Sequence, residues 1–178
     1  MKITLVRHGQ TDDNFSGIMQ GRRNVLMNDT GRRQCQMLRM RLEDKHFDYC
    51  YMSPLTRTVE TAMILIGDKV EMIPDPRIIE RDMGELDGKP REMYNDYKYW
   101  NYDYIDKEFG VESAQSILKR CDEFLNYLKT KYTDESILIV THEAPYRALR
   151  HLIRGDKLKG NLLDGVINNC SCETFEYE

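Results

Sequence analysis

Arg7, His8 and Gly9 follow a short apolar run, residues 3–6, near the start of the chain. The run predicts a buried β-strand, and open α/β sheets bind their ligands at the carboxyl ends of the strands. A neutral imidazole is a good nucleophile, and a guanidinium offers a planar set of donors that match phosphate oxygens. The three residues therefore point to phosphoryl chemistry, and the alternative is a solvated Arg-His pair at a strand end.

Three further segments are predicted to meet this loop. His142 follows a second buried apolar run, residues 136–140, and Arg57 lies in the first turns of a helix that follows another predicted strand. An acidic, glycine-punctuated loop, residues 79–88, carries four candidates for a general acid: Glu80, Asp82, Glu85 and Asp87. One nucleophile, several cations and a carboxyl group are a plausible set for moving a phosphoryl group.

The motifs resemble those of the histidine phosphatase superfamily, branch 1, also called phosphoglycerate-mutase-like proteins. The matching blocks span nearly the whole chain in the order of the family: Arg7-His8-Gly9-Gln10-Thr11 with Asn14, Gln20-Gly21-Arg22, Thr30-Gly31-Arg32, Ser53-Pro54-Leu55-Thr56-Arg57-Thr58, Glu80 with Gly84, and Val140-Thr141-His142. Each block alone is moderately specific, but their common order makes a coincidence very improbable.

The resemblance implies a role for each of five side chains. His8 would attack phosphorus and carry it as a phosphohistidine, while Glu80 would protonate the leaving oxygen. Arg7, Arg57 and His142 would surround the equatorial oxygens, so that neither a metal ion nor a cofactor is needed. Nearby arginines lower the pKa of a carboxyl group and desolvation raises it, and the sequence leaves open which effect dominates at Glu80.

The resemblance also implies substrate contacts at Asn14, Gln20 and Gly21. The chain departs from the family at Glu143, where a glycine is common after the second histidine. A carboxylate at this position would repel a phosphate if it pointed inward, or would interact with the following helix if it pointed outward.

Composition and charge limit the kinds of partner. The chain has 178 residues, of which 40% are hydrophobic and 31% charged, which predicts one globular domain over 1–178. A net charge of −4 argues against nucleic-acid binding. With no long apolar run and no secretory pattern at the amino terminus, we expect no membrane span and a cytoplasmic protein.

The five cysteines are an odd number and lack the spacing of a zinc site, so we interpret them as reduced. Cys170 and Cys172 are predicted to lie on one face of a strand.

Alternating strand and helix patterns predict an α/β fold, a three-layer α/β/α sandwich with a mostly parallel central sheet, as in phosphoglycerate-mutase-like proteins. Strands are predicted near residues 2–6, 47–51, 70–73, 136–141 and 166–176, and helices near 30–43, 54–66, 113–131 and 144–154. The last segment is interpreted as one or two edge strands joined at Asn168-Asn169, which would offer a contact for a homodimer.

A segment of about residues 88–112 is predicted to be a small lid insertion that selects the substrate. It is rich in aromatic residues: Tyr94, Tyr97, Tyr99, Trp100, Tyr102 and Tyr104. From Glu85 to Glu112 there are eight acidic and four basic residues, a charge that disfavours substrates with several phosphates. The aromatic side chains either stack on a planar or sugar-like leaving group or pack this tyrosine-rich segment against the body.

The sequence therefore predicts a metal-independent phosphatase that hydrolyses a small phosphomonoester through a phosphohistidine on His8, with Glu80 as proton donor. A cofactor-dependent phosphoglycerate mutase is the enzymatic alternative, and Arg22 and Arg23 are the residues that favour it. An alternative of another class is a catalytically weak protein that binds phosphorylated ligands and regulates by occupancy.

Overall fold

The computed structural model describes residues 1–178 and contains five strands, six α-helices and three short 3₁₀-helices. The strands are β1 (Lys2–Arg7), β2 (Tyr49–Met52), β3 (Glu71–Pro74), β4 (Ser136–Thr141) and β5 (Cys172–Glu176). The α-helices are α1 (Asp12–Ser16), α2 (Asp29–Arg41), α3 (Thr56–Ile66), α4 (Asp96–Tyr99), α5 (Ala114–Lys131) and α6 (Glu143–Arg154). The 3₁₀-helices cover Pro76–Ile78, Gly84–Leu86 and Arg91–Met93. None of the helices is both long enough and apolar enough to cross a bilayer.

The five strands form one sheet in the order β3-β2-β4-β1-β5. Four strands run parallel, and β5 pairs antiparallel with β1 at one edge. In the pairing of β1 with β4, Arg7 lies opposite Thr141, so the residues that follow the two strands, His8 and His142, leave the sheet side by side. The carboxyl end of β2, which leads to Ser53, lies next to them.

Helices cover both faces of the sheet, as the sequence predicts. On one face, α5 and α6 pack against alternate strand residues such as Ile3, Ile137 and Ile139. On the other face, α2 and α3 pack against the intervening residues, among them Leu138 and Val140. Strands that are buried on both faces consist of continuous apolar runs in the sequence. For this reason β1 and β4 can be predicted from the sequence. The predicted three-layer α/β/α sandwich with a mostly parallel sheet is confirmed.

The carboxyl-terminal segment differs from its prediction. Only residues 172–176 form a strand, and residues 166–171 have no strand structure. Cys170 has φ of +56°, the left-handed conformation that interrupts a strand, and its N–H donates to the Arg7 carbonyl oxygen at 3.1 Å. One edge strand, β5, is therefore confirmed, whereas a second strand joined to it at Asn168-Asn169 is not formed, and the placement of Cys170 and Cys172 on one strand face is wrong.

The loop after β1 packs backbone to backbone against the first turn of α2. Asn28 caps this helix by accepting from Gly31 N at 2.8 Å. A Cβ atom on Gly31 would overlap the Gln10 carbonyl oxygen and would lie 2.6 Å from Gln10 N. A Cβ on Gly9 would lie 2.6 Å from Gly31 O. Two glycines therefore let the helix support the loop that carries His8.

We expect Gly31→Ala to lower the free energy of unfolding by about 2 kcal/mol, because the new methyl group overpacks the loop against the helix. Urea denaturation measures the change, with Gln36→Ala, an exposed position of the same helix, as the control. An unchanged denaturation midpoint for Gly31→Ala would contradict the close packing.

Candidate active site

His8 is buried beside the end of β1, with 2% of its surface exposed. Its Nδ1 lies 2.7 Å from the Gly9 carbonyl oxygen, which can only accept, so Nδ1 carries the proton and Nε2 keeps a free electron pair. Burial, followed by the charges of Arg57 and Arg7, lowers the pKa of His8 well below 6.5. The imidazole is therefore neutral at pH 7, as a nucleophile must be.

His142 lies next to His8, with 5.1 Å between the ring centroids. Its Nδ1 accepts from Arg57 Nε at 3.2 Å, and its Nε2 lies 2.7 Å from Ser53 Oγ. The acceptor role of Nδ1 places the proton on Nε2, which donates to Ser53. Burial and the charge of Arg57 lower the pKa of His142 well below 6.5. His142 is thus a second neutral imidazole in the same dry environment.

Arg57 is fully buried in the first turn of α3. Its Nη1 donates to Arg23 O at 2.9 Å and its Nη2 to Gly21 O at 2.8 Å. Burial lowers the pKa of Arg57 to about 10, so the guanidinium is still charged at neutral pH. In this arrangement Gly21 holds Arg57 through its carbonyl oxygen.

Glu80 is 7% exposed and follows β3 through the Pro76–Ile78 helix. Its carboxylate accepts from Arg81 N at 2.7 Å and from the first N–H groups of α6, at Glu143 and Ala144, both at 3.2 Å. Burial raises the pKa of Glu80 above its ordinary value although the Arg81 N–H and Arg57 lower it. Desolvation therefore outweighs the arginines, which answers the question that the sequence left open.

A cavity of about 100 Å³ brings several of the predicted residues together. The predicted residues on its wall are Arg7, His8, Asn14, Gln20 and Glu80. Gln20 Nε2 is buried there without a hydrogen-bond partner. Arg57, His142 and Gly21 are not part of this wall and lie behind it, in contact with one another or with His8.

Residues 3–178 match the sequence profile of the histidine phosphatase superfamily (branch 1). The chain belongs to this superfamily. Phosphoserine phosphatase 1 of Hydrogenobacter thermophilus is 33% identical over 156 residues, which are 84% of this chain and 74% of that protein. The metal-independent phosphoserine phosphatase of Arabidopsis thaliana is 28% identical over 178 residues, which are 94% of this chain and 74% of that protein. The solved structure of Bacillus stearothermophilus YhfR has a TM-score of 0.88 at 24% identity, covering 99% of this chain and 91% of that one, and so shares the fold.

Asp82 and Asp87, two other acidic residues of the loop that carries Glu80, have surroundings that differ from those of Glu80. Asp82 pairs with Arg22 at 3.3 Å, and Asp87 pairs with Arg23 at 2.9 Å and accepts from Gly21 N. These carboxylates hold surface loops together and are absent from the cavity wall. Glu80 is therefore the buried carboxyl group of its loop, a distinction that the sequence pattern alone did not make.

Glu143, the departure from the superfamily pattern, points into the site. Its Oε2 lies 3.2 Å from Arg7 Nη1 and its Oε1 lies 3.5 Å from Arg147 Nη2, and the side chain borders the cavity. Arg7 also donates to the Ile167 carbonyl oxygen. The inward alternative for Glu143 is therefore the one observed, and the carboxylate partly neutralises an arginine that faces the cavity.

The tyrosine-rich segment contributes only two of its aromatic side chains, Tyr94 and Trp100, to the cavity wall. Tyr94 stacks on Tyr99 with 4.6 Å between centroids, and Tyr99 meets Tyr104 edge to face at 5.5 Å. Tyr97 is 68% exposed. Most of these rings pack the segment together, so the packing alternative fits the structure better than direct contact with a leaving group.

Sequence reasoning missed Arg81 as a residue of the site. It is 1% exposed, borders the cavity and stacks over Trp100 with 4.3 Å from Cζ to the ring centroid. Its Nη1 donates to Tyr94 Oη, whereas Nε and Nη2 are buried without partners. The sequence signal for Arg81 is its position directly after Glu80, because adjacent residues lie close together in the structure.

We expect Glu143→Gln to strengthen the binding of inorganic phosphate about tenfold, because the variant removes a negative charge that pairs with Arg7 beside the cavity. Titration calorimetry at pH 7 measures this, with the exposed Glu85→Gln as a charge-matched control. Unchanged or weaker phosphate binding in Glu143→Gln alone would contradict the placement of the carboxylate.

Proposed function

We propose that this protein is a metal-independent phosphomonoesterase that forms a phosphohistidine on His8 and uses Glu80 as proton donor. One observation carries the proposal: the small cavity is bordered by a neutral buried imidazole and by a buried carboxyl group whose pKa is raised. Burial thus shifts both groups toward the neutral forms in which an imidazole attacks and a carboxyl group donates a proton. The phosphatase names of the relatives support the same class of reaction.

The first step would transfer the phosphoryl group to the protein. Nε2 of His8 attacks phosphorus, the P–O ester bond breaks, and the Glu80 proton moves to the leaving oxygen. Arg7, together with the free amide donors of Asn14 and Gln20 at the cavity wall, stabilises the negative charge on the equatorial oxygens. The alcohol product leaves, and phosphohistidine remains.

The second step would release phosphate. The Glu80 carboxylate takes a proton from a water molecule, the water oxygen attacks phosphorus, and the N–P bond breaks. The electron pair of the N–P bond returns to Nε2, and His8, still protonated at Nδ1, is neutral again. Direct contacts of Arg57 and His142 with the phosphoryl oxygens stay predictions, since both side chains are held by protein groups behind His8.

Hydrolysis fits the surroundings of Arg22 and Arg23 better than mutase activity does. Arg22 pairs with Asp82 and Glu112, Arg23 pairs with Asp13 and Asp87, and neither arginine is part of the cavity wall. A mutase needs further cations for a second phosphate group. The arginines that favoured that alternative are bound to carboxylates instead.

We expect His8→Ala to lower kcat on para-nitrophenyl phosphate by at least about a thousandfold in the presence of EDTA, because it removes the nucleophile. His46→Ala, at an exposed histidine, is the matched control. In the natural chain, rapid quenching during turnover followed by peptide mapping should detect a phosphoryl group on His8. Isomerisation of 3-phosphoglycerate that exceeds hydrolysis when 2,3-bisphosphoglycerate is added would overturn the phosphatase assignment.

A pH profile tests Glu80 separately. The raised pKa keeps the acid protonated at higher pH than an ordinary glutamate, so kcat/KM should fall as the pH rises through that pKa. Glu80→Gln should remove this limb of the profile. It should also slow alkyl phosphates about a hundredfold more than para-nitrophenyl phosphate, whose leaving group needs little protonation. Equal losses on both esters would contradict the role of proton donor.

We also propose that the leaving group carries a carboxylate that binds Arg81. The unpartnered Nε and Nη2 form the edge of a guanidinium that pairs side-on with a carboxylate, and a buried cation without a counter-charge is costly. Trp100 and Tyr94 fix the guanidinium plane. Phosphoserine, which appears in the names of the relatives, has such a carboxylate.

Two esters that differ in one group test this assignment. We expect Arg81→Met to raise KM for O-phosphoserine at least about tenfold and to leave KM for O-phosphoethanolamine, which lacks the carboxylate, within about twofold. Steady-state kinetics on both esters measure the difference. A parallel rise for both would show that Arg81 only supports the fold of the cavity.

A further inference from the structure

The sulfur atoms of Cys35 and Cys170 lie 3.5 Å apart, although 135 residues separate them in the chain. Cys35 is buried in α2, and Cys170 is half-buried in the segment that precedes β5. Nothing in the sequence pairs them, because the strand predicted at the end of the chain groups Cys170 with Cys172. Both cysteines are reduced in this structure.

Each cysteine of this pair touches the backbone of the loop that carries His8. The N–H of Cys170 donates to Arg7 O at 3.1 Å and to His8 O at 3.3 Å. On the other side, Cys35 Sγ lies 3.7 Å from Thr61 Oγ1, which accepts from Gly9 N at 3.1 Å. The two thiols therefore meet beside the loop that carries His8, and each contacts a different part of it.

The local chemistry suits oxidation. Hydrogen bonding with the Cys170 thiol lowers the pKa of Cys35, so that a thiolate forms more readily within the pair. Cys170 reaches solvent and gives a small oxidant access to the buried partner. Cys170 has a left-handed backbone conformation, which is uncommon for residues other than glycine and is held here by its hydrogen bonds to Arg7 and His8.

We propose that Cys35 and Cys170 are a redox modification site that forms a disulfide with a peroxide as the oxidant. A thiolate of the pair attacks one oxygen of hydrogen peroxide and the O–O bond breaks. The hydroxide that leaves takes up the proton that the thiol released, so that a sulfenic acid and one water form. The second sulfur attacks the first, the S–O bond breaks, and another water leaves. Two thiols and one peroxide thus give one disulfide and two waters, so the sulfurs are oxidised by two electrons and the peroxide is reduced.

Bond formation must move the catalytic loop or its support. A disulfide is about 2.05 Å long, so the two sulfurs have to approach by about 1.5 Å from their present contact. Cys35 sits on a helix that packs against the loop without free space, and Cys170 is bonded to the carbonyl oxygens of Arg7 and His8. A displacement of about 1 Å at a nucleophile lowers a rate by up to about a hundredfold. The oxidised protein is therefore the less active form.

Intact mass and peptide mapping test the disulfide without using phosphatase activity. After hydrogen peroxide treatment the protein should lose two hydrogen atoms in mass, and a non-reduced digest should contain the Cys35–Cys170 cross-link. Phosphate release from para-nitrophenyl phosphate should fall at least about tenfold and recover with dithiothreitol. Failure of the proposed function would remove only the activity readout, and the cross-link would still be measured.

Serine variants identify the pair. Cys170→Ser should keep the activity of the reduced protein and should lose the response to peroxide, whereas the matched control Cys172→Ser should respond like the natural chain. Cys35→Ser should behave as Cys170→Ser does. The proposal would be overturned by a Cys170–Cys172 cross-link, by sulfinic acid without any cross-link, or by a Cys35–Cys170 cross-link that leaves the activity unchanged.

Discussion

The parallel pairing of β1 with β4 is the constraint on which the rest of the site depends. Both strands are buried on both faces. Alternate side chains face the helices α5 and α6, and the side chains between them face α2 and α3, so only one register satisfies both layers. This register brings His8 and His142 out of the sheet together. A shift by one residue would turn one strand over relative to the other and separate the two imidazoles.

Burial at this edge of the sheet determines the charges of the site. It keeps both histidines neutral and favours the protonated form of Glu80, although positive arginines stand close by. Backbone carbonyl groups, rather than carboxylates, accept most of the Arg57 hydrogen bonds and leave its charge uncompensated. The cavity wall carries Arg7, Arg81 and Arg91 together with the acidic Glu80, Asp96 and Glu143, and Arg57 adds a further positive charge behind the wall.

Much of this arrangement could be predicted from the sequence, because buried parallel strands and phosphate-binding loops leave strong local patterns. Such patterns predict the positions of β1, β4 and the four longer helices, the family, and the meeting of His8 with Glu80 at one site, but not the short helices α1 and α4. The end of the chain could not be predicted in this way. Apolar alternation suggested an edge strand from Val166, but the hydrogen bonds that Cys170 makes with Arg7 and His8 depend on tertiary contacts. The inward orientation of Glu143 and the free nitrogens of Arg81 likewise follow from three-dimensional packing, which spacing along the chain does not encode.

The position of β1 within the sheet has a consequence for the order in which the protein is built. The strand is made first, yet its neighbours β4 and β5 are made last, and Lys2 pairs with Ser136 and Glu176. Contacts between such distant parts of a chain form late and slow the folding of a domain. During synthesis His8 therefore lacks the groups that bury it until β4 and the segment around Cys170 have been made. A chain that ends before them carries His8 without the burial that keeps its imidazole neutral.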